Sequence, residues 1–221
     1  MNKKIIFKLI VDLLMAIAFL FLMAFRFTEG YLHEIIGASV FVLFITHAIL
    51  NRKWYQSLFR GKYNAMRTFK TTINILILLL MLIIIVNAIF ISQHLFSFIP
   101  LDSTLFVIEL HMFCAAWIFV LVSIHLGLHW KMILNITKFS AKNKTLIVLS
   151  RIGVIVLSYF GIKAFIARYL FQKLMMYPAY DSISLSGTGL EILNDYLLIM
   201  ITIVSITYYS LIILKKKNTN T

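Results

Sequence analysis

Six long apolar stretches dominate this sequence and limit what the chain can fold into. Each has about 20 mostly apolar residues, the length that an α-helix needs to cross the hydrocarbon core of a bilayer. The stretches are Ile5–Phe25, Leu32–Leu50, Thr72–Ile91, Leu105–Leu128, Leu146–Arg168 and Leu190–Leu214. Of the 221 residues only 13% are charged, whereas soluble domains have about 25%. The sequence therefore predicts an all-α, polytopic membrane protein with six transmembrane helices.

The basic residues are distributed unevenly between these stretches. Most of the 21 lysines and arginines precede the first stretch or follow the second, fourth and sixth. The segments on the other side contain only Arg26, Lys163, Arg168 and Lys173. Because cytoplasmic loops are enriched in Lys and Arg, this pattern predicts an integral protein of the cytoplasmic (cell) membrane with both termini in the cytoplasm. The net charge of +13 is then explained by topology and contact with the lipid bilayer, and no nucleic acid partner is expected.

The segment Asn51–Thr71, on the cytoplasmic side, is both basic and aromatic. Its apolar residues, among them Trp54, Leu58 and Tyr63, recur at helical spacing. We expect a short amphipathic helix here, lying in the inner membrane interface.

Four of the six histidines form two pairs with the same spacing. His33 and His47 in the second helix are fourteen residues apart, as are His111 and His125 in the fourth. In an α-helix this spacing puts both side chains on nearly one face, about 21 Å apart. The two helices run in the same direction, so His33 should face His111 near the outer surface and His47 should face His125 near the inner surface. Because polar side chains inside a membrane are costly, the four histidines predict a functional site.

Two facing pairs of imidazoles suit two b-type haems stacked along the membrane normal. Each pair can fill both axial positions of one haem iron, an arrangement that favours electron transfer over oxygen activation. Gly37 and Ala115, four residues after the outer histidines, are expected to leave space for the macrocycle. The prediction is thus a cytochrome b-like, four-helix, bis-histidine di-haem bundle in residues 1–131. Residues 132–221 would add two helices, an outer loop and a basic cytoplasmic tail.

Several polar residues near the predicted haems have more than one interpretation. His129, one turn after His125, is an alternative inner ligand, or it bonds a haem propionate or a quinone, or it caps the membrane interface beside Trp130. Asp12 is a candidate to relay a proton to a quinone site or to pair with a lysine. His94 is interpreted as an interfacial residue. Candidate cationic partners of the propionates are Arg26, Lys163, Lys53 and Lys131.

Motifs for other cofactors are missing from the sequence. The single cysteine, Cys114, excludes a disulfide framework and Cys-x-x-Cys sites, and we expect it to be a small buried residue. No nucleotide-binding glycine loop is present, so hydride chemistry would need a partner.

The ends of the second and fourth helices resemble a known family. The segments His47-x-x-Leu50-Asn51-Arg52-Lys53-Trp54 and His125-x-x-Leu128-His129-Trp130-Lys131 are similar to the corresponding helix ends of the flavinylation-associated cytochromes. The paired spacing also resembles respiratory cytochrome b. The resemblance covers about Ile5 to Lys131 and implies that His33, His47, His111 and His125 are the haem ligands. It further implies electron transfer to an extracytoplasmic flavoprotein.

The flavin itself is expected on a partner and not on this chain. Ser186-Gly187-Thr188-Gly189 lacks the Ser/Thr-Gly-Ala-Ser/Thr pattern of a covalent flavin acceptor and is interpreted as an outer loop. The predicted function is transmembrane electron transfer from a quinol or a cytoplasmic reductase to an outer flavoprotein or other redox carrier. The chain would be an electron-transfer subunit and not a self-sufficient oxidoreductase. The alternatives are a histidine-based metal or cation transporter and a non-catalytic scaffold subunit.

Overall fold

The computed structural model describes residues 3–99, 101, 103–136, 144–177 and 186–218, and these are mostly helical. The helices are α1 (Lys3–Met23), α2 (Phe25–Thr28), α3 (Tyr31–Leu50), α4 (Arg52–Ser57), α5 (Ala65–Ile91), α6 (Leu105–Ile136), α7 (Lys144–Ala167), α8 (Leu170–Leu174) and α9 (Gly189–Asn218). Six of them (α1, α3, α5, α6, α7 and α9) are long and apolar enough to cross a membrane. The six predicted helices are therefore confirmed, although α5 begins earlier and α6 ends later than predicted.

The last long helix, α9, lies within the core of the bundle. It packs against α6 and α7 along its length and also contacts α1 and α2. Its buried residues join the largest apolar cluster, where the ring of Tyr196 meets that of Phe119 edge-on at 5.4 Å between centroids. Many other large apolar side chains remain exposed on the outside of the bundle, as expected for a surface covered by lipid.

Two glycines allow α9 to approach its neighbours closely. A Cβ atom at Gly127 of α6 would lie 2.7 Å from Thr207 Cβ and 2.9 Å from the Val204 carbonyl oxygen. A Cβ atom at Gly161 of α7 would collide with the Leu198 carbonyl and the Thr202 hydroxyl. Small residues at helix contacts are the usual way in which membrane helices pack, because lipid provides no hydrophobic force between them.

The two histidine-bearing helices belong to different packing units. Helix α3 packs along α1, whereas α6 packs along α5 and α9. The backbones of α3 and α6 are not among the closely packed pairs of helices. Side chains or a ligand must therefore span the distance between them.

The amphipathic helix predicted for Asn51–Thr71 is much shorter than expected. A separate helix forms only at Arg52–Ser57, and the chain then turns before α5 begins at Ala65 and takes up the rest of the segment. The Asn64 side chain accepts a hydrogen bond of 2.8 Å from the Arg67 amide and caps α5. The Arg67 guanidinium donates to the carbonyls of Ser57, Arg60 and Lys62, so these bonds hold a turn where the pattern predicted a helix.

A buried ion pair ties α9 to the end of α7. Arg168 Nη2 lies 2.7 Å from Asp195 Oδ2, and Arg168 Nη1 donates to the Ser186 carbonyl at 2.6 Å. Thr188 and Glu191 exchange side-chain to backbone hydrogen bonds at the start of α9, which is a capping box. The segment Ser186–Gly189 thus leads into the helix. Lys138 and Lys142 of the predicted inner loop, and residues 178–185 of the predicted outer loop, lie outside the described residues.

Candidate functional site

The outer histidines of α3 and α6 face each other. The ring centroids of His33 and His111 are 6.4 Å apart, with an angle of 61° between the ring planes. The Nδ1 atom of His111 is buried and has no hydrogen-bond partner among the described residues. A buried imidazole nitrogen without a partner is costly, so this atom indicates an unsatisfied interaction at the outer pair.

Short helix α2 and the turn after it orient His33. The Thr28 side chain is fully buried, and its hydroxyl lies 3.3 Å from His33 Nδ1. The same hydroxyl lies 3.4 Å from the carbonyls of Phe21 and Phe25. Because a hydroxyl that donates to a carbonyl can accept from an N–H, this contact favours a proton on Nδ1 of His33 and a free lone pair on Nε2.

Gly37, one turn after His33 on α3, borders open space. A Cβ atom at Gly37 would meet nothing within 4 Å. Ala115 is half-buried, one residue before the fully buried Ala116. Gly37 therefore borders open space on α3 one turn after His33, and the use of that space by a flat ligand stays a prediction.

The distance between the outer imidazoles suits two ligands of one metal ion. A histidine nitrogen binds a metal such as zinc at about 2.0–2.1 Å, so two imidazoles on opposite sides of one ion have ring centroids about 6–6.5 Å apart. The observed 6.4 Å between His33 and His111 agrees with this geometry. The two imidazoles could therefore hold one iron between them, at a separation that ordinary edge-on ring contacts also have.

The inner histidine of α3 is hydrogen-bonded to α1. His47 Nδ1 lies 2.6 Å from Asp12 Oδ1, and a carboxylate can only accept here, so the Nδ1–H donates. The described partner of Asp12 is His47, and the two roles considered for Asp12 stay predictions. The bond leaves the lone pair of His47 on Nε2, the form in which imidazole binds a metal.

Asn51 and Lys8 extend this network toward the basic end of the helices. Lys8 Nζ donates to Asn51 Oδ1 at 2.9 Å. The amide nitrogen of Asn51 donates to the His47 carbonyl at 3.0 Å and lies 3.4 Å from His47 Nε2. The Asn51 amide nitrogen is closer to the His47 carbonyl oxygen than to His47 Nε2. The carbonyl is therefore its main acceptor.

The inner histidine of α6 is held by α5. His125 Nδ1 donates to Asn74 Oδ1 at 2.8 Å, which leaves Nε2 of His125 with the lone pair. The ring of His129 lies 4.8 Å from that of His125, tilted by 46°. Both interact electrostatically with His47, Asp12 and Lys70, so the three imidazoles share one region of the bundle. The choice between His125 and His129 as inner ligand stays a prediction.

Glu34, the residue after His33, has a role that its sequence position did not indicate. Its carboxylate accepts hydrogen bonds from the Ser92 hydroxyl and from the amides of residues 93–95. These contacts tie α3 to the turn that follows α5. A carboxylate with this many donors has its hydrogen-bonding needs met within the protein.

The remaining predicted residues are not drawn into the histidine clusters. His94 is exposed in the turn after α5, with its ring 5.8 Å from that of Tyr31. Cys114 is buried and free, as expected for a small packing residue. The candidate propionate partners are all exposed side chains: Arg26, Lys53, Lys131 and Lys163. Within the described part of the chain, no group of three or more His, Cys, Asp and Glu side chains is arranged to hold a metal ion.

Sequence reasoning named Asp12 without its partner His47, and it missed two other residues that contact the histidines, Thr28 and Asn74. Asn74 is an amide at the start of an apolar run, and that position alone is a signal, since polar groups in a membrane helix need partners. Thr28 carries no such signal, because a threonine between two helices is common in any turn. Comparison of this chain with protein-family models, with curated proteins and with solved structures finds no match.

Proposed function

We propose that this chain transfers electrons across the cytoplasmic membrane through two b-type haems, each with two histidine ligands. The outer ligands are His33 and His111, and the inner ligands are His47 and His125, with His129 as the alternative. Both termini are in the cytoplasm in this proposal, because the basic segments lie on that side. Bound haem supplies a one-electron redox centre.

The outer pair is the observation that carries the proposal. The imidazoles of His33 and His111 come from helices that do not pack closely, yet their centroids are at a separation that suits two ligands of one metal. A structural pair of histidines would be expected to hydrogen-bond each other or a neighbour. Instead, Nδ1 of His111 is buried without a partner among the described residues.

The inner cluster supports the proposal in a different way. Asp12 and Asn74 accept the Nδ1–H groups of His47 and His125, and each bond favours a tautomer with the lone pair on Nε2. Metal-binding histidines commonly donate their second ring nitrogen to a carboxylate or carbonyl in this way. These two acceptors therefore hold the imidazoles in the form that binds iron.

The proposed donor is a quinol or a cytoplasmic reductase, and the proposed acceptor is an extracytoplasmic flavoprotein or another redox carrier. The resemblance of the helix ends at His47 and His125 to flavinylation-associated cytochromes motivates this choice. A quinol would approach from the lipid, where the inner histidines and Asp12 lie among apolar helices. The flavin belongs to the partner in this proposal.

The test is the visible spectrum and haem content of the purified protein. The chain is produced in haem-replete cells, extracted in detergent and reduced with dithionite. We expect a spectrum typical of bis-histidine haem b and two haems per chain. Colourless, folded protein would overturn the proposal and return attention to a scaffold role.

Single histidine variants separate the two sites. His33→Ala and His111→Ala should each remove the outer haem only, and His47→Ala should remove the inner haem. His94→Ala is the matched control, because His94 is exposed and lies in neither cluster. A loss of both haems from every ligand variant, in protein that retains its helical circular dichroism, would contradict two independent sites.

A histidine-based transporter predicts a different result. Such a protein would bind a divalent cation in the absence of haem, and the same histidine variants would abolish that binding. Equilibrium dialysis with zinc and cobalt, on the haem-free protein, distinguishes this alternative. The scaffold alternative predicts neither haem nor metal.

A further inference from the structure

A partly open cavity of about 330 Å³ lies where the chain turns from α4 into α5. Helix α4 and the turn after it form one wall, and the first turns of α5 form the other. The lining includes the aromatic residues Trp54 and Tyr63, the apolar Leu58, and the cations Arg67 and Lys70. The cavity therefore combines apolar surface with two positive charges.

The Arg67 guanidinium is held in place by the turn. It donates to the carbonyls of Ser57, Arg60 and Lys62 at 2.6–3.2 Å, and its Cζ atom lies 4.1 Å from the centre of the Tyr63 ring. A guanidinium has five N–H donors, so these three bonds leave further donors for a ligand. Carbonyl oxygens do not neutralise the charge. Arg67 thus provides a full positive charge at a fixed position.

The Lys70 ammonium has no counter-ion in the described part of the chain. The residue is half-buried, and it makes no hydrogen bond or ion pair with another described residue. It interacts electrostatically with His125 and His129, and neither imidazole can supply a negative charge. Asp12, the acidic residue of α1, is already bound by His47 at 2.6 Å. An ammonium with three donors therefore borders the cavity without an acceptor.

The sequence around the cavity contains no acidic residue. Between Asn51 and Thr71 there are six lysines and arginines and neither aspartate nor glutamate. The ligand that this composition favours is an anion. Phosphate is the anion that suits the two cations, because a guanidinium binds two of its oxygens side by side and an ammonium acts as a point charge.

The position of the cavity favours the phosphate of a lipid over a phosphate in solution. Lys70 comes two residues before the apolar run Thr72–Ile91, which puts it near the level of the lipid headgroups. In the turn, Phe59 is 98% exposed, and Trp54 lines the cavity itself. Aromatic side chains at this level contact the interface of a bilayer. A lipid can place its phosphate between the cations and its acyl chains against these apolar side chains.

We propose that this cavity binds the headgroup phosphate of an anionic phospholipid, with Arg67 and Lys70 as its cationic partners. Basic pockets beside membrane helices on the cytoplasmic side commonly bind such headgroups. A zwitterionic headgroup is disfavoured, because it carries a cation of its own into a region of positive charge. The site does not require bound haem. A lipid bound there ties α4 to α5 and stabilises the folded chain, since it binds that state alone.

Thermal unfolding of the purified full-length chain, stripped of lipid in detergent, tests the proposal. Phosphatidylglycerol should raise the midpoint in a saturable way, whereas phosphatidylcholine with the same acyl chains should leave it unchanged. Glycerol phosphate at the same concentration should also have no effect. An equal rise with phosphatidylcholine would show that acyl chains alone bind, and an equal rise with glycerol phosphate would show a site for a soluble anion. Either result, or no rise with phosphatidylglycerol, overturns the proposal.

The Lys70→Gln variant tests the role of the unpaired cation. The concentration of phosphatidylglycerol at half-maximal stabilisation should rise roughly tenfold or more, because a hydrogen bond to a charged group is lost. Lys62→Gln is the matched control, since Lys62 is exposed in the same turn and does not line the cavity. Equal weakening in both variants would show that only the overall charge of the segment matters, and the proposed site would be wrong.

A second variant and a measurement on the unaltered chain cover a loss of folding in Lys70→Gln. Lys70→Arg keeps the positive charge, so the preference for phosphatidylglycerol over phosphatidylcholine should persist. Native mass spectrometry of the unaltered chain, after exposure to an equal mixture of the two lipids, should show phosphatidylglycerol retained in preference. Equal retention of both lipids would contradict a site for an anionic headgroup.

Discussion

His47 Nδ1 lies 2.6 Å from Asp12 Oδ1, although the two residues are 35 positions apart and belong to different helices. The bond joins α1 to α3 near the basic ends of both helices. Neither residue is fully buried, with side-chain exposures of 28% for His47 and 45% for Asp12. The bond therefore acts mainly by orienting one imidazole and selecting its tautomer.

Replacement of Asp12 by alanine should weaken ligand binding at the inner cluster. Second-shell partners of metal-binding histidines typically contribute about 10–100-fold to affinity. We expect Asp12→Ala to retain the outer haem and to lose much of the inner haem, so that the haem content falls from about two toward one per chain. Haem is measured as the pyridine complex per mole of protein. Glu29→Ala serves as the control, and an equal loss there would argue against a specific role for Asp12.

A bulky side chain at Gly37 should close the outer site without unfolding the protein. A Cβ atom there would meet nothing within 4 Å, so the helix itself tolerates the change. Gly37→Leu should thus leave the thermal midpoint of the haem-free protein unchanged. It should remove the outer haem, because the leucine would fill the space that the proposed ligand uses one turn after His33. Gly153→Leu is the matched control, since Gly153 is also helical with no neighbour within 4 Å. Full haem content in Gly37→Leu would show that this space is not used.

Substitution of Gly161 should loosen the contact between α7 and α9. Its Cβ atom would collide with the Leu198 carbonyl and the Thr202 hydroxyl, and a backbone carbonyl cannot move aside easily. Overpacking of this kind costs about 1–3 kcal/mol, so Gly161→Ala should lower the midpoint of thermal unfolding in detergent. In the same helix, Gly153→Ala should leave the midpoint unchanged or raise it, because alanine has the higher helix propensity. Equal behaviour of the two variants would contradict the close packing of α7 and α9.

Removal of Asp195 should destabilise the bundle by taking a carboxylate away from a buried guanidinium. The Arg168 side chain is 8% exposed, and Asp195 Oδ2 lies 2.7 Å from its Nη2 atom. Breaking a buried ion pair from one side costs about 3 kcal/mol or more, so Asp195→Ala should lower the thermal midpoint markedly. The double variant Arg168→Met/Asp195→Leu should recover most of that loss, because replacing both partners by apolar side chains is often neutral. A double variant as unstable as Asp195→Ala would show that the ion pair is not the cause.

The six helices and the shared face of the histidines could be predicted from the sequence. Apolar runs such as Thr72–Ile91 are long enough to span a bilayer, and the fourteen-residue spacing puts His33 and His47 on one face whatever surrounds the helix. The short helix after Asn51 was predicted poorly, because the Arg67 guanidinium binds three backbone carbonyls there and stabilises a turn. The spacing of apolar residues in the sequence does not predict hydrogen bonds between a side chain such as Arg67 and backbone carbonyls several residues away.

The sequence alone determined which segments are long and apolar enough to cross a membrane and which histidines share a face, because both depend only on length, apolarity and helical geometry. The tertiary structure decided that Asp12 accepts from His47, that Asn74 accepts from His125 and that α9 lies in the core. Those contacts depend on the relative rotation and depth of neighbouring helices. Apolar helices of similar composition can pack in many ways in lipid, so only specific contacts such as Gly127 and Gly161 against α9 select one arrangement.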